Sequence, residues 1–279
     1  MEVERTGTLM SLQELQAVNL ELLVDIHEFC VDNNIKYSLA YGTMLGAVRH
    51  QGFIPWDDDA DIIFARPEYE RFIKTYKSKR GFKLITPDNP QSYMTFARVY
   101  DDQKTRMVCR YPWCGFDSGA FVDVFVLEGI DDTAEDIDEQ ELKEYYFYQD
   151  NVRRRSMLAD VSEWENTWGV IKNFIKKIIW SGGEKKIREI IDKKLIEYSA
   201  HKFEGCNCFE QIANRMTKHW DFFYKEDFES YVLMPFEDKQ FYVMNGYDAV
   251  LTRRYGNYME WPSEDQRNQS MKNFKMYWK

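Results

Sequence analysis

A short segment of the chain carries four aspartates, Asp57, Asp58, Asp59 and Asp61, between a tryptophan and an apolar run. Carboxylates this close together repel one another, and burying them without partners is costly. A divalent cation removes that penalty, and Mg²⁺ suits such hard oxygen ligands because it keeps several waters and accepts phosphate oxygens from a substrate. The segment therefore predicts a site for a phosphate and a metal ion, Mg²⁺ or Mn²⁺.

Strand geometry selects two of these aspartates, and a distant strand adds a third carboxylate. In a strand over residues 59–64, Asp59 and Asp61 would share one face, since side chains at i and i+2 point the same way. Asp123 stands between two valines in another apolar strand, where a lone carboxylate is difficult to explain without a cation. We therefore predict Asp59, Asp61 and Asp123 as metal ligands and catalytic residues, with Asp123 accepting the proton of an attacking hydroxyl.

Residues near the aspartates offer positive charge and hydrogen-bond donors for a phosphate. Gly42-Thr43 ends a predicted strand and opens a short helix, and backbone N–H groups at such a turn bind phosphate, helped here by the Thr43 hydroxyl. Arg49 and His50 follow on the approach to the aspartates, and Arg98 is a cation inside an apolar strand. Alone, a run of aspartates is usually a solvated turn, and either arginine could equally form a structural ion pair. Together these residues predict a binding site for a substrate whose diphosphate undergoes substitution.

The composition is typical of a globular intracellular protein. Of the 279 residues 44% are hydrophobic, and a net charge of −10 argues against general nucleic-acid binding, which requires basic surface. The N-terminus lacks the basic and apolar regions of a secretory signal, and no apolar run is long enough to span a bilayer. Five cysteines, an odd number, indicate reduced thiols and only weakly a zinc site. We expect a cytoplasmic protein.

Helical and strand patterns surround the site residues and predict an α+β fold, a mixed twisted β-sheet flanked by helices. Ser11 and Glu14 form a capping box that predicts the start of the first helix. The other predicted elements are strands at 35–41, 59–64, 82–86, 93–100, 105–109, 120–127 and 241–244, helices at 67–79 and 248–254, and a hairpin turn at Asp101-Asp102. Long helical patterns between 145 and 228 predict a helical insertion. We accordingly expect a catalytic core, 1–145, a helical region, 146–235, and a C-terminal segment, 236–279, that returns to the core.

Three motifs of the chain resemble the LicD family, whose domain has the nucleotidyltransferase fold. They are GTMLGAVRHQGFIPWDDDADI from Gly42, GAFVDVFVLEG around Asp123, and LTRRYGNYMEWPSEDQR around Arg254. The resemblance spans about residues 12–130 and 240–279, and the helical middle is less characteristic.

The resemblance implies roles for the residues of the site and a phosphotransfer reaction. Gly42 and Thr43 match the phosphate-binding turn of the fold, and Asp59, Asp61 and Asp123 match its metal carboxylates. The family implies a CDP-linked donor, by default CDP-choline, from which phosphocholine passes to a hydroxyl of a surface-glycan precursor, lipid-linked or not, with release of CMP. Transfer of ribitol phosphate or glycerol phosphate, and a non-catalytic nucleotide- or glycan-binding relative, are the alternatives.

One part of the C-terminal motif departs from the family. After the arginine that matches Arg267 the family pattern continues with two histidines, whereas this chain has the residues NQSM at 268–271. Whatever those histidines do in relatives does not carry over, and the choice of donor or acceptor can differ.

A choline donor carries a quaternary ammonium group, which binds aromatic rings through cation–π contacts. Trp56 and Trp113, with Tyr111 and Phe116, flank the predicted site and are candidates for substrate binding, although ordinary core packing is favoured for any single ring. The segment Trp164–Trp180 predicts an amphipathic helix with lysines between apolar residues. Such a helix would either rest on the inner face of an anionic membrane or pack on its own domain. The sequence predicts no oligomeric state.

Overall fold

The computed structural model describes residues 7–89, 91–92, 94, 96–109, 117–130, 203–210, 222–267 and 274–279. Within them the helices are α1 (Leu12–Asp32), α2 (Tyr41–His50), α3 (Arg66–Thr75), α4 (Tyr247–Tyr255) and α5 (Glu264–Arg267), with 3₁₀ turns at Phe203–Gly205 and Lys225–Asp227. The strands are β1 (Ser38–Leu39), β2 (Asp61–Ala65), β3 (Lys83–Ile85), β4 (Ala97–Tyr100), β5 (Thr105–Cys109), β6 (Phe121–Ile130), β7 (Cys208–Glu210), β8 (Phe222–Tyr224), β9 (Tyr231–Phe236), β10 (Lys239–Met244) and β11 (Phe274–Trp278).

A mixed β-sheet forms the centre of the fold. Its strands lie in the order β1-β2-β6-β4-β3, and β7 and β8 extend it from the later residues of β6. β2 and β6 run parallel, whereas the other neighbouring strands run antiparallel. The parallel register sets Asp61 directly opposite Asp123. The predicted α+β class with a mixed sheet is confirmed.

The first helix is fixed by its cap and its apolar face. The Ser11 hydroxyl accepts the N–H of Glu14 at 3.2 Å, and the Glu14 carboxylate accepts the N–H of Ser11 at 2.7 Å, so the predicted capping box is confirmed. Leu15, Leu22 and Ile26 recur at helical spacing and are fully buried, and the helix contacts β6 and β10. α1 therefore covers the sheet beside the strand that carries Asp123.

The C-terminal residues contact the first half of the chain at two places. β9 and β10 form an antiparallel hairpin, and the N–H of Met244 at the end of β10 donates to the Ser38 hydroxyl in β1 at 2.9 Å. β11 pairs with β5 in a separate two-stranded sheet. The helix α4 follows β10 directly and lies near α2. Residues more than 200 positions apart are thereby in contact at β1, the strand that directly precedes α2.

Three local predictions are wrong. The first strand is limited to Ser38–Leu39, because α2 already begins at Tyr41. The strand after the acidic run begins at Asp61, so Asp59 lies in the preceding loop and does not share a strand face with Asp61. The hairpin at Asp101-Asp102 does not form, since β4 pairs with β3 and β6 while β5 pairs with β11.

The region predicted to be helical contains strands where the structure describes it. Cys208–Glu210 and Phe222–Tyr224 are strands, and they pair with each other and with β6. The predicted amphipathic helix at Trp164–Trp180 lies outside the described residues. No helix in the described part of the chain combines the length and the apolar character that a bilayer span requires.

Candidate active site

The start of β2 is held on both sides by its neighbours. The N–H of Asp61 donates to the Thr43 hydroxyl at 2.8 Å, and its carbonyl accepts the N–H of Ala40 at 2.9 Å. The N–H of Asp123 donates to the carbonyl of Ala60 at 2.8 Å. The Thr43 side chain is buried, and its hydroxyl thus positions an aspartate. The predicted contact between this hydroxyl and a phosphate stays a prediction.

The loop that carries the other aspartates is anchored by two side chains from distant segments. The Gln16 side-chain amide on α1 donates to the carbonyls of Ile54 and Asp57, at 3.2 and 2.9 Å. The Glu237 carboxylate, in the turn between β9 and β10, accepts the N–H of Phe53 at 3.0 Å. These half-buried hydrogen bonds fix the backbone of the loop from Phe53 to Asp57, where the run of aspartates begins.

The aspartates converge, and the loop contributes more of them than predicted. Oxygens of Asp57, Asp58 and Asp59 all lie within 4.8 Å of one another, the one such trio of acidic or metal-binding side chains in the described part of the chain. Asp57 and Asp58 were not among the predicted ligands, whereas Asp61 and Asp123 were. Since no strand phase governs a loop, the reasoning that excluded the first two aspartates does not apply.

The protonation behaviour of these carboxylates reflects their crowding. Burial, and then the negative charge of neighbouring aspartates, raises the pKa of Asp59 and of Asp61 well above its usual range. Burial and the adjacent Asp58 raise the pKa of Asp57 to about 7. Asp57, Asp59 and Asp61 nevertheless keep some exposure to solvent. A bound cation would offset this repulsion, so the donor set fits a divalent metal ion.

A carboxylate lies against Gly42 near the start of α2, so a larger residue there would require the Asp57 side chain to shift. A Cβ atom at this position would stand 2.6 Å from Oδ2 of Asp57. The preceding residue, Tyr41, has φ = 46°, a left-handed conformation that is strained for a bulky side chain. The Tyr41 ring packs edge-on against Phe125 at 5.4 Å and beneath the Arg254 guanidinium at 4.3 Å. Strain and negative charge are thus concentrated at the N-terminus of one helix.

Asp123 forms a bidentate ion pair with Arg98 inside the protein. Nε of Arg98 donates to Oδ1 at 2.6 Å, and Nη2 donates to Oδ2 at 3.0 Å. Burial raises the pKa of the Asp123 carboxyl, and the guanidinium opposes that rise. The Arg98 guanidinium also lies 3.6 Å from the centre of the Phe121 ring. Of the two alternatives for Arg98, the structure therefore contains the ion pair.

A cation that acts on Asp61 was not among the predicted site residues. Arg254, at the end of α4, opposes the rise in the pKa of Asp61, which places its charge close to that carboxylate. Arg49, which was predicted to bind substrate, instead donates from Nη1 to the carbonyls of Tyr258 and Glu260, at 2.7 and 3.0 Å. Arg49 thereby joins α2 to the segment that follows α4.

Aromatic rings gather beside the acidic loop. Trp56 and Trp261 lie 5.6 Å apart between centroids, and His50 stands edge-on to both, at 6.0 and 5.2 Å. The Arg267 guanidinium lies 5.6 Å from the Trp56 ring and 5.8 Å from the Trp261 ring. Trp113 lies outside the described residues. His50 and Trp56 were predicted to be near the substrate, and the structure brings them together.

Sequence reasoning missed several residues, for two different reasons. Arg254, Trp261 and Arg267 all lie in the C-terminal motif that carried the family resemblance, so the motif itself was a usable signal. Gln16 and Glu237 act through hydrogen bonds to backbone atoms of a distant loop, and such contacts leave no pattern in the sequence.

Comparisons with known proteins place similarity along the chain. A family model described as LicD/FKTN/FKRP, nucleotidyltransferase domain, matches residues 34–152. The lipopolysaccharide cholinephosphotransferase LicD of Haemophilus influenzae is 29% identical over 264 residues, which cover 92% of this chain and 94% of that protein. An uncharacterized protein of Rickettsia prowazekii is 62% identical over 74 residues, 23% of this chain and 28% of its own length. The similarity to the Haemophilus protein therefore extends over most of the length of both chains.

Proposed function

The chain belongs to the LicD family, and from that premise we propose that it transfers phosphocholine from CDP-choline to a hydroxyl of a surface-glycan precursor and releases CMP. The proposal includes the nucleotidyltransferase fold for the core of the chain. The observation that carries it is the convergence of Asp57, Asp58 and Asp59 on one point, beside Asp61 in register with Asp123.

A divalent metal ion, Mg²⁺ or Mn²⁺, belongs to this proposal. Asp57, Asp58, Asp59 and Asp61 are the residues that would hold it. Oxygens of the first three lie close together, and burial followed by the charge of neighbouring aspartates raises the pKa of Asp57, Asp59 and Asp61. When bound, the ion would neutralise charge on the donor diphosphate and on the departing CMP.

The remaining residues of the site have separate tasks in this proposal. The Asp123 carboxylate is oriented by Arg98, and each of its oxygens keeps a second lone pair with which to accept the proton of the attacking hydroxyl. Arg254 supplies positive charge beside Asp61 for the diphosphate. The N-terminus of α2, where Gly42 leaves room, adds a favourable field for an anion.

The test is release of CMP from CDP-choline in the presence of a glycan acceptor and Mg²⁺, with CDP-ribitol and CDP-glycerol assayed in parallel. We expect release with CDP-choline that stops when a chelator removes the metal. Asp59→Asn should lower kcat by roughly a thousandfold or more, because several kcal/mol of charge stabilisation are lost. Its circular dichroism should match that of the unaltered protein. Asp238→Asn, at an exposed aspartate of the β9–β10 turn, is the matched control and should keep full activity.

The outcomes separate the alternatives. Release of CMP from CDP-ribitol or CDP-glycerol alone would replace the cargo and keep the phosphotransferase. Absence of CMP with every donor and metal would favour a nucleotide- or glycan-binding relative without catalysis. Normal turnover by Asp59→Asn would refute the assignment of the acidic cluster.

A further inference from the structure

Trp56, Trp261 and His50 form a cluster of three aromatic rings in mutual contact, which we call the aromatic cage. Their ring centroids are 5.2 to 6.0 Å apart, and the interplanar angles lie between 59° and 85°, so the rings do not stack on one another. Trp261 is 58% exposed, an unusual position for so large an apolar side chain. Since Trp261 is exposed and His50 and Trp56 are only partly buried, part of this aromatic surface is open to a ligand.

The positively charged guanidinium of Arg267 lies beside the aromatic cage. The centre of the Arg267 guanidinium is within 6 Å of both indole rings, which is the distance at which a cation is attracted to an aromatic face. Nε of Arg267 is buried and has no hydrogen-bond partner among the described residues. The position of Arg267 thus marks a point that suits a cation, and its own hydrogen bonding does not explain why the side chain lies there.

The third ring carries no charge that would repel a cation. Nε2 of His50 accepts a hydrogen bond from Nε of Arg49 at 3.0 Å, and an acceptor nitrogen belongs to a neutral imidazole. Burial, together with the positive charge of Arg49, lowers the pKa of His50. Both effects therefore disfavour the protonated imidazole. The cage is therefore a neutral, electron-rich surface at ordinary pH.

The cage is continuous with the acidic cluster and is held rigidly to it. Trp56 directly precedes Asp57, whose carbonyl is bound by Gln16. The segment before Trp261 is tied to α2 by Arg49, which binds the carbonyls of Tyr258 and Glu260. A ligand whose phosphate lies at the aspartates would therefore place an adjoining cationic group at the rings.

We propose that the aromatic cage of Trp56, Trp261 and His50 binds the trimethylammonium group of the donor, and that this group displaces the Arg267 side chain. This inference rests on the proposed function, since it names the residues that recognise the cargo. A quaternary ammonium has no N–H to donate, so cation–π contact and apolar contact with its methyl groups are the means by which a protein can select it. The displaced guanidinium becomes available to the donor phosphates.

The test begins with binding of choline itself, which needs no catalysis. Choline chloride and its uncharged analogue 3,3-dimethylbutanol are titrated into the full-length protein by isothermal calorimetry. We expect choline to bind and the neutral analogue to bind at least tenfold more weakly. Trp261→Ala should weaken choline binding roughly 5- to 30-fold, as the loss of one cation–π wall predicts. Trp261→Phe should retain most of the affinity, and Leu233→Ala, another exposed apolar residue, should change nothing.

Arg267→Met separates a site for a cation from a simple stack of arginine on tryptophan. If choline replaces the guanidinium, the methionine variant should bind free choline more tightly than the unaltered protein. Weaker binding would show that Arg267 holds the rings in place and would overturn the displacement. Equal affinity of Trp261→Ala and the unaltered protein for choline, or equal affinity for choline and dimethylbutanol, would overturn the cage.

Turnover distinguishes failure of the cage from failure of the proposed function. Suppose that the unaltered protein releases CMP from CDP-choline and that Trp261→Ala prefers CDP-choline over CDP-ethanolamine to the same degree. The role of the aromatic cage is then refuted, and the proposed function stands. If no CMP is released from CDP-choline, the function fails, and the calorimetric comparison still decides whether the rings bind a quaternary ammonium.

Discussion

Replacing Thr43 by valine tests whether this residue serves the protein backbone or the substrate. The Thr43 side chain is buried, and its hydroxyl accepts the N–H of Asp61 at 2.8 Å. Valine has nearly the same shape but no oxygen, so the variant leaves a buried backbone N–H without an acceptor. That N–H belongs to the first residue of β2, and its loss of support reaches the acidic cluster directly.

The expected magnitude follows from the desolvation penalty of an unpaired buried donor. Such a group costs about 1–3 kcal/mol, so the free energy of unfolding should fall by that amount. For a protein of this size the melting temperature should then drop by roughly 2–12 °C. A displacement of Asp61 by a fraction of an ångström should also lower kcat by roughly 10- to 100-fold. The KM for the donor should change little, because the hydroxyl would not contact the donor.

Two further variants make the measurement specific. Thr43→Ser keeps the hydroxyl and loses one methyl, so it should lose about 1 kcal/mol of stability and keep near-normal kcat. Thr75→Val makes the same substitution at an exposed position of α3, where the hydroxyl bonds the carbonyl of Arg71 and water can replace it, so unfolding should change by less than about 0.5 kcal/mol. Urea unfolding and CMP release are the assays. An unchanged unfolding free energy in Thr43→Val, with a raised donor KM, would refute the positioning role and restore the phosphate contact.

Two other predictions concern the charges of the site. Arg98→Met should lower the unfolding free energy by about 3–5 kcal/mol in urea titrations, because it leaves Asp123 buried without its partner. The double variant Arg98→Met/Asp123→Leu should regain most of that stability but have no activity. Equal destabilisation of both variants would contradict this. Since the pKa of Asp57 rises from its usual 3.8 to about 7 on folding, the folded protein binds more protons than the unfolded chain between these values, and metal-free stability should fall as pH increases through that window. Thermal melts from pH 4.5 to 8 should show a steeper fall for the unaltered protein than for Asp57→Asn, in which Asp59 and Asp61 still contribute, and Mg²⁺ at pH 8 should raise the melting temperature. An equally steep fall in Asp57→Asn would refute the assignment to Asp57.

Local signals in the sequence predicted local structure well. The capping box at Ser11 marks the start of α1, and Thr105–Cys109 is a strand with the predicted bounds. Apolar alternation and capping act within a few residues, so the printed sequence contains all that they require. The strand predicted for residues 35–41 fails for a related reason. Its apolar side chains are indeed buried, but the last of them, Tyr41, turns into α2 with a strained backbone that only tertiary contacts can hold.

Pairings between distant segments could not be predicted in the same way. β5 finds its partner in β11, more than 160 residues later, and no local pattern distinguishes this from a hairpin with β4. The sequence alone does not distinguish an ion pair of Arg98 with a protein carboxylate from contact with an anionic ligand, because a cation in an apolar strand needs an anion from either source. The antiparallel register of β4 and β6 decides that question, because it sets Arg98 opposite Asp123.

Three consecutive residues help to hold the crowded carboxylates of the acidic loop. Tyr41 adopts a strained φ of 46°, Gly42 leaves space for the Asp57 carboxylate, and Thr43 holds the N–H of Asp61. Each of these features brings negative charge toward the positive end of α2, which lowers the energy of carboxylates that otherwise repel one another. The helix dipole alone contributes about 1 kcal/mol, less than the raised pKa values indicate is needed, so the loop also depends on its backbone anchors. The site is therefore held by hydrogen bonds and only partly neutralised by charge, and the divalent cation that we propose would supply the remaining neutralisation.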